Sequence, residues 1–147
     1  MNHTEMITRF KDAKTHLAAC QTEYDLAAQD KDAFIKLACD KHNANPNGCN
    51  GYEEQTTPVS NLGRAFKERT EQGYKLVAVR PYQFSVVMVW QPKSLKPADV
   101  EKANRQRAEG EWSRHIDPIA SRLASAQQTY NQTAAEVAAL KDVFAQI

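Results

Sequence analysis

Two heptad seams constrain this chain more than any other feature in it. In the C-terminal third, apolar or small residues recur at alternating steps of four and three: Trp112, Ile116, Ile119, Leu123, Ala126, Tyr130, Thr133, Val137, Leu140, Phe144 and Ile147. That spacing draws one stripe along a helix, because about 3.6 residues make each turn. The N-terminal third repeats the pattern through Met6, Phe10, Ala13, Leu17, Cys20, Tyr24, Ala27, Phe34 and Ala38, interrupted where Lys31 takes the seam position. Neither glycine nor proline falls between Thr4 and Lys41, so the pattern predicts one long helix over 4–42. Small residues in both seams allow close approach, which makes the two helices natural antiparallel partners.

The C-terminal seam predicts a long helix over 111–147, strongest over about 117–146, with a kink or junction at Asp117-Pro118. Before it, 97–109 reads as a separate polar helix, and Gly110 permits the break. From Leu123 to Ala135 no residue is charged, and Gln127, Gln128, Asn131 and Gln132 occupy what should be the outer face. An outer face without charge points to a further helix neighbour from another protein chain.

The middle third changes character at residue 43. Asn43-Ala44-Asn45-Pro46-Asn47-Gly48-Cys49-Asn50-Gly51 packs turn formers together, and the pattern predicts a loop over 43–60. A third strand within Tyr52–Ser60 is compatible with the residue types, but Pro58 restricts it to a sheet edge. A short helix over 61–72 follows, capped by Ser60 and ended by Gly73. Tyr74–Val79 and Phe84–Gln91 are rich in β-branched and aromatic residues and predict a hairpin over 74–91. Arg80-Pro81-Tyr82-Gln83 suits a four-residue connection, which pairs Val79 with Phe84. In that register Val77, Val79, Phe84, Val86, Met88 and Trp90 share one face, and Tyr74, Leu76, Ala78, Val87 and Val89 the other.

A hairpin apolar on both faces must be covered on both. Few residues remain to cover the second face, so the expectation is a homo-oligomer, most simply a dimer. The expected architecture is α+β in a single domain, 1–147: a long antiparallel, coiled-coil-like hairpin of N- and C-terminal helices, with a central short helix and an antiparallel β-hairpin.

Composition removes several function classes. Lys and Arg number 19 and Asp and Glu 18, a formal net charge of +1, so bulk charge offers no attraction for a polyanion. Lys93, Lys96, Lys102, Arg105 and Arg107 are diluted by Asp99, Glu101 and Glu109, and no nucleic acid is expected as a partner. No apolar run approaches the ~18 residues a membrane helix needs, and the start lacks the basic-then-apolar order of a signal peptide. The expectation is a cytoplasmic protein with no membrane partner. Cys20, Cys39 and Cys49 then read as reduced thiols.

Two segments invite a metal. Counted from Asn43, side-chain oxygens fall at the first, third and fifth positions (Asn43, Asn45, Asn47), glycine at the sixth (Gly48) and glutamate at the twelfth (Glu54), which resembles an EF-hand calcium loop. The loop departs from that pattern in having asparagine first, a single carboxylate, Pro46 inside it and Asn50 at the apolar eighth position. Cys39, His42 and Cys49, with His16 or His115 as a fourth ligand, are zinc-type ligands at a spacing that matches no knuckle. An asparagine-rich turn and inert thiols account for both segments, and no metal or cofactor is expected. No nucleophile elbow, paired-histidine zinc motif or phosphate-cradling glycine loop is present, so the expected protein is not an enzyme.

The hairpin end carries the remaining chemistry. Arg80 and Tyr82, with Phe84 beside them and Arg64 and Lys67 near in sequence, combine guanidinium, ammonium and aromatic groups suited to a small anionic ligand such as a nucleotide. Trp90 and Trp112 read as core packing. Residues 62–90, through Gly73-Tyr74-Lys75-Leu76-Val77, resemble a helix-then-hairpin arrangement of small bacterial proteins of unknown function, a likeness that implies no activity. The expected function is a non-enzymatic, oligomeric interaction protein that binds another protein to block or scaffold it, an accessory inhibitor or adaptor of the kind mobile elements and phages carry. The alternative is a protein that sequesters a small ligand or nucleotide at a subunit interface.

Overall fold

The computed structural model describes residues 2–145, and the Ile147 end of the C-terminal seam lies outside the described residues. The chain is mixed α+β, with N-terminal helices, a three-stranded antiparallel sheet and a long C-terminal helix. Its contacts divide it into two compact units, 1–32 with 112–147, and 33–111.

The first unit contains α1 (His3–Gln29) and the later part of α4 (Pro97–Ala145). Asn2 caps α1 reciprocally: its side-chain oxygen accepts from the Glu5 N–H at 2.8 Å, and its own N–H donates to the Glu5 carboxylate at 3.3 Å. Along α1 the seam residues are the shielded ones, with Ala13 and Cys20 buried and Met6, Phe10, Leu17, Tyr24 and Ala27 half-buried. On α4, Trp112, Ala126 and Thr133 are buried. The Thr133 hydroxyl donates to the Thr129 and Tyr130 carbonyls at 3.0 Å, so its burial leaves no orphaned donor. The Phe10 and Tyr130 rings stack at 5.6 Å, His3 meets Phe144 edge-on at 5.0 Å, Arg9 approaches Glu136 at 3.9 Å, and Arg122 pairs with Glu23.

Two helix expectations are corrected. The single helix over 4–42 is two, α1 and α2 (Lys31–Ala44), with Asp30 between them. The break falls beside Lys31, whose charge cannot enter a buried stripe. After it the stripe changes phase, so that Ile35, Ala38 and His42 are buried while Phe34 is half-buried. Conversely, 97–109 and 111–147 are one helix, since α4 runs through both Gly110 and Pro118. A mid-helix glycine costs only about 1 kcal/mol, and a buried stripe of Asn104, Ala108 and Trp112 at four-residue steps continues across it.

The second unit holds the sheet, in the order β1-β3-β2: β1 (Glu53–Pro58), β2 (Lys75–Tyr82) and β3 (Ser85–Gln91). The predicted 43–60 loop therefore contains a strand, an edge strand that ends on Pro58. Between β1 and β2 lies α3 (Leu62–Glu71), preceded by Asn61, so Ser60 is not its cap. The chain leaves α3 through Gly73 at φ +89, with the Tyr74 N–H returning to the Arg69 carbonyl at 3.1 Å. Ala65 on α3 packs with Met88 and Trp90 of β3, joined by Leu62, Tyr74 and Leu76.

The hairpin register also differs from expectation. Val79 faces Met88, and Tyr82 faces Ser85, because the ladder continues through Arg80 and Pro81 instead of turning there. Proline is tolerated on an edge strand. An irregularity between Leu76 and Ala78 shifts the alternation at Val77. Tyr74 and Leu76 accordingly join the Trp90 face, against the predicted alternation. Met88 and Trp90 on one face of β3 and Val89 on the other are all essentially inaccessible. The sheet's central strand thus buries side chains on both faces within one chain, while Val79 on β2 stays more than half exposed.

Candidate interaction surface at the hairpin end

The connection between β2 and β3 is Gln83-Phe84. Gln83 adopts φ 49, the left-handed region that non-glycine residues enter at a cost of order 1–3 kcal/mol. This tight turn places Phe84 in solvent at 96 % exposure, with Tyr82 and Val79 each more than half exposed. The expectation of Phe84 in the core is overturned, because the ladder closes between Tyr82 and Ser85 and leaves Phe84 outside it.

Arg80, in register with Val87 and through it with Thr56, lies on the sheet face opposite to Met88 and Trp90. Its guanidinium binds the Glu54 carboxylate at the 2.5 Å limit of a short contact. Glu54, Thr56, Arg80, Pro81, Tyr82 and Val87 line an open cleft of about 390 Å³. Arg64 instead pairs with Glu68 at 3.1 Å and lines a different cleft with Gln55, Thr57 and Ala65. Gln55 and Thr57 alternate with Thr56, so Arg64 and Arg80 stand on opposite sides of the sheet. Lys67 is exposed on α3 and lines neither cleft. The four proposed ligand residues thus divide, with Arg80 and Tyr82 together and Arg64 and Lys67 apart from them.

The asparagine loop is organised by α4. His42 Nε2 meets Glu111 Oε1 at 2.9 Å, Asn104 donates to the Asn43 side-chain oxygen, and Arg107 donates to that of Asn47 at 3.2 Å. Residues 104, 107 and 111 fall on one helical stripe, so three side chains of α4 fasten the end of α2 and the loop after it. Glu54 accepts from Arg80 and, at 3.4 Å, from the Gly48 N–H. The oxygens counted as calcium ligands at Asn43, Asn47 and Glu54 therefore have protein partners. Cys39 contacts the Asn104 carbonyl and Cys49 is exposed, and all three cysteines are free. Among the described residues no group of three or more His, Cys, Asp or Glu is placed to hold a metal ion. The α4 stripe was not read from sequence; its signal was the polar residues at 104, 107 and 111 in a segment with few apolar ones.

Gln127, Gln128, Asn131 and Gln132 are all exposed on α4, with Gln127 donating to Asn131 at 2.9 Å. No helix of the described residues is long and apolar enough to cross a membrane. Comparison with protein-family models, with curated proteins and with solved structures produced no match.

Proposed function

We propose that this chain is a non-enzymatic interaction protein that engages a protein partner through the hairpin end of its sheet, blocking or scaffolding it. One observation carries the reading: Phe84 is 96 % exposed on a two-residue turn, next to half-exposed Tyr82 at the end of β2. An aromatic side chain gains most by entering an apolar pocket of a partner, and such anchors contribute 2 kcal/mol or more to association, as an order of magnitude. The rigid strands behind the turn limit the entropy lost on docking. In the same reading the seams of α1 and α4 form a coiled-coil-like antiparallel hairpin, supported by the opposite order of the Phe10–Tyr130, Arg9–Glu136 and Glu23–Arg122 pairs. The uncharged face at Gln127, Gln128, Asn131 and Gln132 is offered to a second copy, and three free cysteines suit the cytoplasm. The small-ligand alternative is weakened by Glu54, which neutralises Arg80, and by the separation of Arg64 and Lys67 from it.

The test compares the wild-type chain with Phe84→Ser and with Gln128→Glu/Gln132→Lys, using affinity capture from cells and native mass spectrometry. The expected result is loss of captured protein in Phe84→Ser with unchanged circular dichroism, and loss of oligomer mass in the double variant. An identical captured set in Phe84→Ser overturns the hairpin-end reading, and an unchanged oligomer mass overturns the glutamine face.

A further inference from the structure

We draw no further inference here: the strongest candidate, the outer edge of β2 at the exposed residues 79–82 beside the hairpin turn, carries nothing because nothing in the structure shows what covers it.

Discussion

The indole N–H of Trp90 donates to the side-chain oxygen of Gln55 at 3.1 Å, across the ladder between β3 and β1. Trp90 is wholly buried, so the polar atom of the largest side chain in the sheet core is satisfied by an edge strand. Gln55→Leu should therefore leave the N–H without a partner and lower stability by about 1–3 kcal/mol. In a Trp90→Phe background the same substitution should cost markedly less, which urea unfolding at constant slope will show. Equal losses in both backgrounds would mean that the bond contributes nothing.

Gly51 should tolerate no side chain. It adopts φ +90, and an added Cβ would stand 2.8 Å from Leu95 Cδ1. Gly51→Ala then combines backbone strain of order 1–3 kcal/mol with a clash. Adding Leu95→Ala should recover the clash and not the strain, so thermal unfolding of the double variant should remain below a Leu95→Ala control.

Gly110 should behave in the opposite way. It lies inside α4, and an added Cβ would meet nothing within 4 Å. Gly110→Ala should stabilise by roughly 0.5–1 kcal/mol, through helix propensity and a smaller unfolded ensemble. A fall in the unfolding midpoint would show that α4 is interrupted there.

The stack of Phe10 on Tyr130 links α1 to α4. A double-mutant cycle with Phe10→Ala and Tyr130→Ala should return a coupling of about 0.5–1.5 kcal/mol beyond the area lost. A coupling near zero would separate the two seams.

The seams were legible because helical burial is periodic. Ala13, Cys20, Ala126 and Thr133 were placed correctly by spacing alone, and all are buried. Lys31 interrupts the seam in the sequence, but the absence of glycine and proline pointed to one continuous helix where the structure has two. Arg80 and Tyr82, two residues apart on one strand, share a cleft, whereas Arg64 is near them only in sequence and lines the cleft on the other side of the sheet. Phe84 was misplaced because Arg80-Pro81-Tyr82-Gln83 satisfies turn preferences locally, and a ladder that continues past a proline is not visible in a pattern of residue types.

Periodicity and turn chemistry were enough to establish an α+β chain with long terminal helices and a central hairpin, since both depend on neighbours a few residues apart. Whether β1 would pair, and so cover β3, depended on Trp90 finding Gln55 from 35 residues away in sequence. The division of Arg64 from Arg80 and the approach of Glu54 to Gly48 and of Arg107 to Asn47 followed from that long-range pairing and from the docking of the loop on α4. Such contacts form only when the chain closes distant segments against one another, and no local preference encodes which closure wins.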